Sequence, residues 1–185
     1  QLCHLALGSV AVRPGDAVTA GQPVGRIGLS GRTEFPHVHL TLRRDGAVID
    51  PFRPEASPTC GGATETLWAD PPPYRPGGIL DIGLTATPPG FDDVKAGLPA
   101  APLPADAPAL ILWAHLFGTR AGDRLSLTVT GPGGTIIAQT VTLDRTQARA
   151  YRYAGRRTPP PGPYAATVTL IRDGVVIETR SLGGS

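Results

Sequence analysis

The segment FPHVHL, Phe35 to Leu40, places two of the chain's four histidines one residue apart. Side chains alternate between faces along a strand, so His37 and His39 would share one face, with roughly 6.5 to 7 Å of backbone rise between them. Neutral imidazole is the commonest zinc ligand and carries protons near neutral pH. A same-face pair therefore suits a metal ligand beside a proton-handling group. The plainer reading is a pair of surface or half-buried histidines with no joint task. His4 favours the chemical one: it follows Cys3 at the head of another apolar stretch, where a disulfide would fix its backbone.

Cys3 and Cys60 are the only thiols and show no C-x-x-C spacing, which fits a single disulfide. On the chain-entropy model such a bond contributes on the order of 4 kcal/mol. It would imply an oxidising compartment. The alternative is two unrelated buried thiols.

The elements that must position these residues read as short strands. From 10 to 54, RPGD and TAGQP put Pro and Gly where tight turns need them, and Asp45-Gly46 between two apolar runs signals a hairpin. Arg43, Arg44 and Asp45 read as a solvated turn, and Asp50 as a cap or anchor at the strand end. The stretch 57–78 is a Pro/Gly-rich linker, with Leu67 and Trp68 expected to dock on a domain. Beyond it, seven alternating segments from ILDIGLTAT to VVIETRSL predict an antiparallel β-sandwich over 79–185. Without a cysteine pair, only a generic immunoglobulin-like or fibronectin-like sandwich is implied. The six prolines between Pro88 and Pro108 exclude a long helix and predict a surface loop there. His115, beside Trp113, reads as a satisfied core or interface histidine.

The run from His4 to Pro51 resembles the C-terminal half of the lysostaphin-type zinc endopeptidases, the M23 peptidases of bacterial cell walls. The matching features are the x-H-L segment at His4, the run VRPGDAVTAGQPVGRIGLSG, and P-H-x-H-L followed by a hairpin ending in Asp50-Pro51. The resemblance implies that His39 is a zinc ligand, and that His4 and His37 position or deprotonate the attacking water and stabilise the oxyanion. It implies peptidoglycan peptides as substrate and zinc as cofactor; the accessory sandwich would position the protein at a wall polymer or a cell-envelope protein. The family's other two ligands come from an upstream H-x-x-x-D, which does not occur in this sequence; His115 is followed by LFGTR. The expectation is a chain that begins partway through a peptidase domain, with 1–56 as the C-terminal half of that domain, inactive by itself. The alternative is a degenerate member that binds cell wall or activates another hydrolase.

The overall expectation is an all-β chain working outside the cytoplasm, periplasmic or secreted. The net charge of +2 is scattered, without a basic stripe interleaved with aromatics, which argues against nucleic acid. No apolar run reaches the ~18 residues of a membrane span. The glycine-rich run is also similar to biotinyl and lipoyl carrier domains, but these need a lysine at a hairpin tip. The single lysine, Lys95, lies in the Pro-rich loop.

Overall fold

The structure is a computed structural model that describes residues 1–33, 36–55, 65–98, 102–104 and 106–183. It is nearly all-β, as the sequence predicts, and divides into two compact units, Gln1–Tyr74 and Arg75–Ser185.

The first unit is built from very short strands. Strand β1 (Leu2–Cys3) pairs antiparallel with β2 (His39–Leu40), setting Cys3 opposite His39. The Gln1 amino group donates to the Thr41 carbonyl, and the Thr41 N–H donates back to Gln1. On its far side the same N-terminal segment pairs with 26–28: Leu5 bridges Ile27, and the Gly28 N–H donates to the His4 carbonyl at 2.8 Å. That approach requires glycine, since a Cβ on Gly28 would lie 2.4 Å from the Ala6 Cα. Strands β3 (Leu42–Arg44) and β4 (Ala47–Ile49) form the expected hairpin, with Asp45 and Gly46 both at positive φ.

The RPGD and TAGQP turns form as read, closed by Asp16 N–H to the Arg13 carbonyl and Gln22 N–H to the Thr19 carbonyl. The strands expected between them are reduced to isolated pairings such as Ala11 N–H to the Val24 carbonyl. Prolines 14 and 23 have no N–H to donate, which keeps the ladder from becoming continuous. Trp68 docks within this unit, its ring 5.6 Å from Phe52, while Leu67 stays half exposed and ties its N–H to the Pro51 carbonyl.

None of the described residues of this first unit is buried. Val10, Ile27, Val38 and Leu40 are 58%, 53%, 58% and 39% exposed. Among its described residues the unit is thus held by backbone pairing and turn chemistry, without an apolar interior.

The second unit holds the core. Its strands are β5 (Gly78–Thr85), β6 (Ala109–Thr119), β7 (Arg124–Gly131), β8 (Gly134–Thr142), β9 (Gln147–Arg157), β10 (Ala165–Arg172) and β11 (Val175–Leu182). They form two antiparallel sheets, ordered β5-β6-β9 and β11-β10-β7-β8. All seven lie where alternation places them. Leu110, Leu112, Ala114 and Leu116 of β6 share one buried cluster with Leu125, Leu127 and Val129 of β7 and Val168 and Leu170 of β10. This is the two-layer packing that period-2 patterning dictates.

The Pro-rich segment departs from a plain loop by one short helix, α1 (Phe91–Ala96). Between the prolines, the run FDDVKA has acids in its first turn and Lys95 in its last, which suits the helix dipole. Its Val94 is buried.

Candidate active site

The first unit brings His4, His37 and His39 together. The His4 ring lies 4.8 Å from that of His37 and 5.5 Å from that of His39, centroid to centroid, with tilts of 49° and 40°. Each comes from a different local setting. His39 is held in β2 opposite Cys3. His37 precedes that strand, just after Pro36, so the two are not consecutive same-face positions of one strand as expected. Pro36 cannot donate a ladder bond, which stops the strand from extending backwards.

His4 follows β1 with φ of +61°, in the left-handed region that non-glycine residues seldom occupy. Two opposite pulls produce this bend: Cys3 pairs with β2, while the His4 carbonyl turns to accept from Gly28 on the other side.

Ring partners fix orientation. His4 Nδ1 lies 2.9 Å from the Ser30 carbonyl. A carbonyl only accepts, so Nδ1 carries the proton, and in the neutral ring Nε2 is left as the base. Gly31, at φ +75°, stands beside the ring, and a Cβ there would make an ordinary contact of 3.8 Å with His4 Nδ1. Thr33 Oγ1 lies 3.3 Å from His37 Nδ1, and Thr41 Oγ1 is 3.4 Å from His39 Nε2. The Thr41 contact leaves Nδ1 as the His39 nitrogen open to a ligand. His4 and His37 are half-buried and His39 exposed. Beside His4 opens a cleft of about 410 Å³ walled by Leu2, Leu5 and Val10.

Among the described residues, no three His, Cys, Asp or Glu side chains are arranged to hold a metal ion. His39 fits as one ligand; the set is not complete. Cys3 carries a free thiol, so the expected Cys3–Cys60 bond is not formed, and Cys60 lies outside the described residues, as does Phe35.

The other candidates have structural duties. Arg43 donates to the Gly46 carbonyl in the hairpin turn, and Arg44 pairs with Glu55 at 3.0 Å. Asp50 Oδ1 accepts the Phe52 N–H at 2.8 Å, the capping role read from its position. Lys95 lies on α1 beside Asp92, at no hairpin tip, which removes the carrier-domain reading. His115 is buried in β6, but its Nε2 has no partner, so it is not the satisfied histidine expected. Sequence reasoning missed Ser30, Thr33 and Thr41. Only Thr41, two residues beyond His39, carried a signal, through strand periodicity. Ser30 acts through its backbone, which no residue type reveals.

Fold and site together define an all-β protein with a solvent-open histidine cluster on a small antiparallel sheet. Residues 2–51 match the family model of Peptidase family M23, so this stretch is an M23-type segment and supports a peptidase-family function. Among solved structures, the chain is similar to a Bacteroides fragilis protein assigned as a beta-galactosidase, at 19% identity and a TM-score of 0.31. The likeness covers 40% of this chain and 13% of that one, and carries no argument.

Proposed function

We propose that this chain forms one wall of a zinc-dependent endopeptidase site that cuts peptides of bacterial peptidoglycan outside the cytoplasm. The observation that carries the reading is the approach of the His4 ring to those of His37 and His39, at 4.8 and 5.5 Å between centroids, within a segment that matches the M23 family. His39 serves as a zinc ligand. Zinc, when bound, supplies a Lewis acid for the scissile carbonyl. His4, with Nδ1 committed to Ser30, presents Nε2 to take a proton from water. His37, bonded at Nδ1 to Thr33 and with its ring 4.8 Å from that of His4, donates to the developing oxyanion.

A catalytic zinc site takes about three protein ligands, and the described residues offer one. The exposed apolar side chains of the first unit also need a cover. We assign both to further polypeptide that packs on this unit and brings two ligands with it.

Elemental analysis for zinc tests this, on the 185-residue chain and on the product of the complete reading frame that contains it. About one zinc in the longer product and none in the 185-residue chain supports the reading. No zinc in either sinks it. The absence of a metal-holding group among the described residues favours the second reading, a degenerate M23-type protein that binds cell wall or activates another hydrolase. On that reading, alanine at all three histidines leaves wall binding unchanged.

A further inference from the structure

The outer face of the β5-β6-β9 sheet buries an ionisable ring, one nitrogen of which has no hydrogen-bond partner. His115 is 4% exposed, and its Nε2 makes no hydrogen bond. Strand register sets it between Asp81 on β5 and Tyr151 on β9. Its ring meets Phe91 of α1 edge-on, at 5.8 Å and 90°. Phe91 also stacks on Tyr151 at 5.8 Å, and the Tyr151 hydroxyl donates to the Pro89 carbonyl at 2.9 Å. An aromatic cluster thus seats α1 on the sheet, and His115 is one wall of the socket.

The charged groups around that socket are two cations, Lys95 and Arg149, and two anions, Asp92 and Asp81. Lys95 Nζ and Arg149 Cζ stand 5.2 Å and 5.8 Å from the Phe91 ring centroid. Asp92 is taken up by Lys95. Asp81 is exposed, and its Oδ1 accepts the Ile82 N–H. A proton on His115 would add a charge to a buried ring whose Nε2 has no hydrogen-bond partner, with Arg149 and Lys95 opposing it and Asp81 across the strand favouring it.

We propose that His115 is an acid-sensitive latch: the neutral ring holds Phe91 and α1 against the sheet, and its protonation undocks the helix.

The direction follows from linkage. Burial lowers the affinity of His115 for a proton, Arg149 and Lys95 push the same way, and Asp81 opposes them. The undocked state binds the proton more tightly. Docking is therefore complete above the ordinary imidazole pKa of about 6.5 and is lost as pH falls below it. One proton changes the docking equilibrium by at most about tenfold per pH unit.

Hydrogen exchange read by mass spectrometry on the whole chain tests the latch, with rates corrected for the intrinsic pH dependence of exchange. Between pH 7.5 and 5.0, protection of peptides covering 88–98 should fall by up to about tenfold per pH unit below 6.5, while peptides from β7 and β10 hold theirs. His115→Phe should abolish the fall. Where that variant does not fold, His115→Gln, neutral at both values, replaces it. Equal protection of 88–98 at the two pH values, or the same fall in the folded variant, overturns the proposal.

Discussion

At the residue scale, the site depends on which atom of each imidazole is already committed. His4 gives Nδ1 to Ser30 and keeps Nε2 for chemistry. On the proposed function, His4→Ala in the zinc-loaded product of the complete reading frame should lower turnover by about 10²- to 10⁴-fold, the usual worth of a positioned base. Zinc content should stay unchanged. His39→Ala should instead lose the zinc, and a variant that keeps its metal would remove His39 from the ligand set. A second residue-scale result belongs to Arg172 and Asp123 in the second unit. The Arg172 Nε and Nη2 bond the two Asp123 carboxylate oxygens at 2.9 and 2.8 Å, and Nη2 also reaches the Gly118 carbonyl. Asp123 is 1% exposed. Breaking such a pair strands a buried charge, so Arg172→Met should cost about 3–5 kcal/mol in urea unfolding. Replacing both partners by apolar residues should cost less than either single change. The sequence held no signal for this pair, because its members are 49 positions apart and each alone reads as a surface charge.

At the element scale, glycines decide how closely strands can approach. Gly28→Val would drive a side chain into the Ala6 backbone, where even a Cβ comes within 2.4 Å. It should separate 26–28 from the His4 segment, seen as loss of exchange protection at the Ala6 and Gly28 amides. Gly83 plays the same part in the sandwich, leaving room for the Trp113 ring 2.5 Å from where its Cβ would be. Gly83→Ala should lower stability by about 1–3 kcal/mol through overpacking, with blue-shifted Trp fluorescence lost if the indole is displaced. The seven sandwich strands were legible because strict alternation over eight or more residues has few competing readings. The strands of the first unit were over-read: the turns were correctly placed, but prolines between them remove donors that a ladder needs.

At the scale of the whole molecule, stability is unequally distributed. The second unit owns all the buried side chains among the described residues, so most of its amides should exchange only by cooperative unfolding, while those of Gln1–Tyr74 should exchange far faster. Acid should weaken the second unit in two steps. Loss begins below about pH 6.5 as His115, held neutral by burial, favours states in which it can charge. Asp123 and Glu178 follow. Burial alone would raise both, but Arg172 and the Arg120 N–H hold Asp123 below the usual carboxylate range, as do the Ile79 N–H, Arg180 and Arg75 for Glu178. Their contribution is present above the ordinary carboxylate pKa of about 4 and is lost as pH falls below it through their lowered folded-state values. A denaturation midpoint that stays flat from pH 7 to 3 would contradict both assignments. By itself the sequence determined the all-β class, the turns, the sandwich strands and the three histidines worth watching, because alternation, Pro/Gly placement and motif spacing are local properties of the chain. Only the tertiary structure decided that His4 meets His37 and His39, that the Ser30 carbonyl selects its tautomer, and that His115 is buried with its Nε2 unbonded. Those facts depend on which distant segments pair, and pairing is settled by the whole set of strand registers at once.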